Sequence, residues 1–135
     1  MVAPDPSRVR FDGPWTHRDV HANGIRFHVA EMGPQDADTP TVLMLHGFGE
    51  FWWTWRNQLR AFANAGIRAI AVDLRGYGDT DKPPRGYDGW TLAGDAAASF
   101  ARWVYVTSSW SAMLKAGWCA GRQLTCILAK FGQLR

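Results

Sequence analysis

Three stretches of this 135-residue chain carry residue types and spacings that suit chemistry. The first is His46-Gly47-Phe48-Gly49, which directly follows the apolar run Thr41-Val42-Leu43-Met44-Leu45. An apolar run this short, with Pro40 before it and Gly47 after it, predicts a strand buried on both faces of a parallel sheet. The glycines end the strand in a sharp turn and let backbone approach a ligand closely. Backbone amides beyond His46 then project from the carboxyl end of the strand, where open α/β sheets bind substrates. Amides fixed in such a turn suit a developing oxyanion. The second stretch is Asp73-Leu74-Arg75-Gly76-Tyr77-Gly78-Asp79, a tight turn after another apolar run. Asp73 has the type of a catalytic acid, but at a strand end before Arg75 and Gly76 it more often fixes a turn by bonding backbone amides. Arg75 and Asp79 are expected to do the same. The third stretch is Trp52, Trp53 and Trp55. Trp52 and Trp53 are candidates for lining a pocket, yet two of the three tryptophans are expected to pack a helix on the sheet.

The elements that must hold these residues follow from periodicity. Residues 16–20 and 25–31 alternate in polarity around Asn23-Gly24, a strong hairpin signal. They predict two antiparallel strands at a sheet edge. Residues 51–65 repeat apolar positions at helical spacing, with Gly66 as the C-cap. Residues 67–74 form a second apolar strand. Strand, helix and strand in this order give a right-handed βαβ unit. A second helix is expected to begin at Trp90, with Thr91 as its N-cap and Asp95 near the first turn. His17, His21 and His28 fall on the hairpin and read as surface imidazoles. Their spacing does not suit a metal site. The fold class is therefore α/β, with an edge hairpin, a parallel βαβ unit and an incomplete sheet of about four strands.

Composition narrows the function. A hydrophobic fraction of 47% with 20% charged residues is globular, and no run is long and apolar enough to span a membrane. The polar, Pro-rich start lacks the features of a signal peptide, so a cytoplasmic protein is expected. Cys119 and Cys126 alone make neither a disulfide framework nor a zinc set. No cofactor or metal is implied. The net charge of +3 is unevenly placed: residues 1–95 carry ten basic and twelve acidic side chains, and residues 96–135 carry five basic and none acidic. The basic, Trp-containing tail could suit a small binding module for nucleic acid or a membrane surface, but no nucleic-acid partner and no stable membrane insertion are expected.

His46-Gly47-Phe48-Gly49, Trp53-Thr54-Trp55-Arg56 and the run from Asp73 to Pro83 together resemble the α/β-hydrolase family, most closely its epoxide-hydrolase-like branch. The resemblance covers roughly residues 20–95, the front half of the family's usual domain. It implies hydrolysis of small organic substrates such as epoxides or esters. It also implies an oxyanion loop at His46 to Gly49, with Phe48 supplying an amide and His46 shaping the loop. A nucleophile on a Gly-x-nucleophile-x-Gly elbow, an acid and a His should follow. After Asp95 this sequence has no carboxylate, and after His46 it has no His. The triad cannot be assembled from it, so no catalytic residue is assigned. An inactive fragment or pseudogene product is then an alternative to a working hydrolase.

Residues 99–135 show neither a period of two nor one of 3.6. They are expected to form an irregular tail distinct from the hydrolase-like residues 1–98. The genetic code offers a reason. When the third base of each codon is joined to the first two of the next, residues 99–125 can be re-read as a helix end, a β-branched strand and a Gly-His-x-x-Gly-Gly elbow. This predicts a one-base slip of the coding frame near residues 97–99. Even then, Met113 followed by Leu114 allows only Ala or Val at the nucleophile position.

Overall fold

The computed structural model describes residues 5–36, 38–104 and 126–130. Strands β1 (Thr16–Ala22) and β2 (Ile25–Met32) form the antiparallel hairpin. Asn23 and Gly24 both take positive φ, 45° and 79°, as a two-residue type I′ turn requires. β3 is Thr41–Leu45 and β4 is Arg68–Val72, and they pair in parallel. β2 pairs with β4 antiparallel, so the hairpin is stitched to the βαβ unit along its inner strand.

A fifth strand, β5 (Cys126–Lys130), pairs antiparallel with β3. The sheet order is β1-β2-β4-β3-β5. Sequence periodicity had indicated about four strands and an irregular tail. These five tail residues instead complete a ladder on the free edge of β3, whose backbone groups would otherwise lack partners. The remainder of the expected tail lies outside the described residues, apart from the end of the second helix.

Both faces of the central strands are buried. Val42, Met44, Ala69 and Ala71 face one way and pack with Trp15, Trp52, Trp55 and Leu59. Leu43, Leu45, Ile70 and Val72 face the other way with Val20, Phe27 and Val29, against which Ala96 also packs. The near-continuous apolar runs of β3 and β4 follow from this two-sided burial.

The helix expected over residues 51–65 is divided. Trp52–Trp55 is a 3-10 turn, and helix α1 runs over Arg56–Asn64. Three residues per turn place Trp52 and Trp55 on one side, and both are buried. At the other end, Gly66 takes φ 75°, its N–H donates to Ala63 O, and Ile67 N–H donates to Phe62 O. This is a Schellman cap. Helix α2 spans Gly89–Val104. Its cap is Asp88 rather than Thr91: the Asp88 carboxylate accepts from the Thr91 N–H at 3.0 Å and the Thr91 hydroxyl at 2.7 Å. Asp88 sits one residue before the helix, where a side-chain oxygen reaches the third helical amide.

Candidate functional site

The end of β3 is fixed by His46, which is 1% exposed. Its Nδ1–H donates to Gly47 O at 2.8 Å, and its Nε2 accepts from Leu74 N–H at 3.0 Å. One nitrogen donates and the other accepts, so the ring is held neutral. Burial pushes its pKa below the ordinary histidine value. With both nitrogens engaged, His46 pins β3 to Leu74, two residues beyond β4, and is not free to move a proton to a ligand.

The next four residues form a turn. Glu50 N–H donates to Gly47 O at 3.3 Å, and Gly49 at the third position takes φ 77°. That φ belongs to a type II turn, which favours glycine there. The Glu50 carboxylate accepts the Gly47 N–H at 3.0 Å. Of the four residues assigned to the loop, Gly47 therefore has its amide taken. Among the described residues, nothing accepts from the amides of Phe48 and Gly49. The Phe48 side chain is 80% exposed, with its ring centroid 6.4 Å from that of Tyr77. Tyr77, from the β4 turn, also meets the His46 ring edge-on at 5.2 Å. The two glycine-rich turns thus lie side by side at one end of the sheet.

Asp73, fully buried, braces both turns. Its Oδ1 accepts Trp52 N–H at 2.7 Å, and its Oδ2 accepts Asp79 N–H at 3.1 Å. A Cβ at Gly78 would overlap this carboxylate, which is why the position is glycine. Oδ2 also meets His28 Nδ1 at 2.7 Å. Thr80 Oγ1 donates to Asp73 O at 2.6 Å and accepts from His28 N–H at 2.9 Å. An acid with three donors on two oxygens holds backbone in place and is not directed at open space.

Arg75 behaves differently from the turn-fixing role expected of it. Its Nε and Nη2 form a bidentate pair with Asp95 of α2 at 2.7 and 2.8 Å, both side chains being buried. Asp95 raises the Arg75 pKa. Asn23 Nδ2 donates to the same carboxylate at 2.6 Å, so the hairpin turn, the β4 turn and α2 converge on one acid. Gly76 takes φ 85° and lies under the Tyr87 ring, where a side chain would collide. The Asp79 carboxylate pairs with Arg10 at 2.6 Å and Arg26 at 3.4 Å.

Trp52 has no exposed surface and donates its Nε1–H to Val9 O at 2.8 Å, so it packs as core instead of lining a pocket. Trp53 is half-buried, edge-on to Phe11 at 4.8 Å and Trp15 at 5.5 Å. His28, expected at the surface, is fully buried. β2 pairs on both edges, with β1 and β4, so the hairpin's inner strand is interior. Among the described residues no cluster of three or more His, Cys, Asp or Glu could hold a metal ion, and no helix is long and apolar enough to cross a membrane.

A mixed sheet with a buried parallel βαβ unit and two glycine-rich turns at the carboxyl ends of β3 and β4 is the front part of an α/β-hydrolase fold. The family model described as the alpha/beta hydrolase family matches residues 42–124, and the chain belongs to that family. Epoxide hydrolase 1 of Siraitia grosvenorii is 40% identical over 112 residues, which is 78% of this chain and 34% of that protein. Epoxide hydrolase 3 of the same plant is 48% identical over 81 residues, 58% of this chain and 24% of that one. Among solved structures, an epoxide hydrolase from Vigna radiata superposes with a TM-score of 0.62 at 46% identity, over 66% of this chain and 28% of the other. An epoxide hydrolase from an endophytic Streptomyces gives 0.59 at 41% identity, over 65% and 26%. The chain spans between a quarter and a third of the length of these two plant relatives.

Proposed function

We propose that this chain is the oxyanion-binding part of a hydrolase of small organic substrates, epoxides or esters, and that the 135 residues do not turn substrate over alone. The observation that carries the reading is the turn at residues 47–50. It leaves the Phe48 and Gly49 amides without acceptors beside the β4 turn. Two such donors suit the negative charge that develops on oxygen when a nucleophile attacks a carbonyl or opens a strained ring. Among the described residues, the nucleophile, acid and base that would complete the reaction have no counterpart. The carboxylates nearest the loop, Asp73 and Glu50, are bound to backbone amides, and His46 is locked as a neutral strut. The test is a turnover assay of the purified chain with an aryl epoxide and an aryl ester. The expected rate equals that of buffer. Saturable hydrolysis above it would overturn the assignment of inactivity and direct attention to a nucleophile in residues 99–135.

A further inference from the structure

Asn23 and Gly24 form the tip of the β1-β2 hairpin, and both are exposed. Asparagine is chemically labile, most of all before glycine, where no side chain shields the following nitrogen from the amide carbon. A Cβ placed at Gly24 would meet nothing within 4 Å. Among the described residues, nothing accepts from the Gly24 N–H. The attacking nitrogen is therefore open to solvent base, but the group it would attack is tied elsewhere. Asn23 Nδ2 donates to Asp95 Oδ1 at 2.6 Å. A Cβ at Gly94 would lie 3.5 Å from the same nitrogen, so the side-chain amide rests against α2. Asp95 is itself fixed, buried and paired with Arg75.

We infer that Asn23 is a site of spontaneous deamidation and that its bond to Asp95 holds the reaction back. Hydroxide removes the Gly24 amide proton, and the nitrogen attacks Asn23 Cγ. A bond forms between Gly24 N and Asn23 Cγ, the Cγ–Nδ2 bond breaks, and Nδ2 leaves as ammonia with a proton from water. Water then opens the five-membered imide at either carbonyl, leaving aspartate or isoaspartate. Nothing is oxidised or reduced. To close the ring, the Asn23 side chain has to fold back onto its own main chain, so Nδ2 must first leave Asp95. Negative charge builds on the Asn23 side-chain oxygen during the attack, and the neighbouring Asp95 carboxylate opposes it.

The product cannot restore the contact. An ionised carboxylate has no hydrogen to donate, and at that position it faces Asp95 as a like charge. Arg75 continues to hold Asp95, so α2 keeps its tie to the β4 turn and loses this tie to the hairpin. The change runs one way, at a rate set by how often the Asn23 side chain leaves α2.

The experiment incubates the full chain at pH 8, folded and in parallel unfolded in urea, and maps peptides by mass for the gain of one mass unit at Asn23. Asn57 and Asn64, exposed and followed by Gln58 and Ala65, serve as internal standards. In urea Asn23 should convert first of the three. In the folded chain it should convert about tenfold to a hundredfold more slowly, the factor that a hydrogen bond to a charged acceptor contributes. Asp95→Ala, with its fold checked by far-ultraviolet circular dichroism, should bring the folded rate up towards the rate in urea. In the unaltered chain, the Asn23 Nδ2 hydrogens should exchange more slowly than those of the Asn57 and Asn64 side chains, a readout that does not depend on the variant folding. Asn23 converting no faster than Asn57 in urea, equal rates in the folded and unfolded chain, a folded Asp95→Ala chain with an unchanged rate, or equal side-chain exchange at all three asparagines would each overturn the inference.

Discussion

Replacing Asp73 by asparagine tests whether one buried acid sets the geometry of both turns. The swap preserves shape but removes the charge and one acceptor. Oδ2 serves two donors, His28 Nδ1 and Asp79 N–H, and Oδ1 serves Trp52 N–H. The better amide rotamer keeps its oxygen toward the pair and turns its NH2 toward Trp52 N–H. That leaves one buried backbone donor facing another, at a cost of about 1–3 kcal/mol. The two surviving bonds lose their charge assistance, which roughly halves them and adds about 1 kcal/mol. Asp73→Asn should therefore destabilise the chain by about 2–4 kcal/mol, a large part of the about 5–15 kcal/mol that holds a typical domain. The assay is urea unfolding followed by tryptophan fluorescence. With a slope of about 1–3 kcal/mol/M, the midpoint should fall by at least about 0.7 M. The native spectrum should also change at low urea, because Trp52 loses its amide anchor. A loss below about 1 kcal/mol with an unchanged spectrum would refute the bracing role and leave Asp73 available for chemistry.

Other substitutions separate the remaining contributions. The pKa of His46 is lowered by burial, so the unfolded chain takes up its proton first as pH falls. Stability from the neutral ring is present above the ordinary histidine value of 6.5 and is lost as pH falls through the folded value. His46→Gln, which retains an acceptor toward Leu74 N–H, should flatten that acid-side loss in thermal melts at pH 5 to 7; an unchanged profile would assign the loss elsewhere. Gly49→Ala meets open space but keeps φ 77°, so it should cost only about 1–2 kcal/mol. Gly78→Ala has to displace the Asp73 carboxylate and should cost about 3 kcal/mol or more by the same unfolding assay, and equal costs at the two glycines would refute the packing argument. A frame slip near residues 97–99 predicts that the gene's neighbouring frame stays open past the codon for Arg135 and encodes a Gly-His-x-x-Gly-Gly elbow. Stop codons in that frame would rule it out.

The elements that place the loop were legible because each has a strong local signature. Asn23-Gly24 between alternating runs gave the hairpin, and the apolar runs ending at Leu45 and Val72 gave the parallel pair. What escaped was everything decided by a neighbour distant in sequence. His28 reads as a surface residue because a hairpin strand ordinarily has one exposed face. It is interior because β4 closes the second edge of β2 and Trp52 covers its face. Glu31 escaped for the same reason: it is buried, yet Arg18 from β1 and Arg68 from β4 each reach it at 2.7 Å. Asp95 reads as an ordinary helix acid until the fold brings Arg75 and Asn23 to it across 20 and 72 residues. β5 was hidden because a five-residue segment acquires its identity only from the edge it joins. No property of Cys126–Lys130 alone selects strand over coil.

These long-range ties explain how the two glycine-rich turns keep their shape. Each polar contact that fixes the Gly47–Glu50 turn and its neighbour comes from residues between Val9 and Asp95: His46 to Leu74, Glu50 to Gly47, Asp73 to Trp52 and Asp79, and Arg75 to Asp95. None requires a nucleophile or a late histidine. An oxyanion hole works by being rigid before charge develops, so its donors have to be positioned by the scaffold and not by the reacting groups. Loosening the Asp73 brace should therefore disorder the Gly47–Glu50 loop even though Asp73 makes no contact with the Phe48 or Gly49 amides.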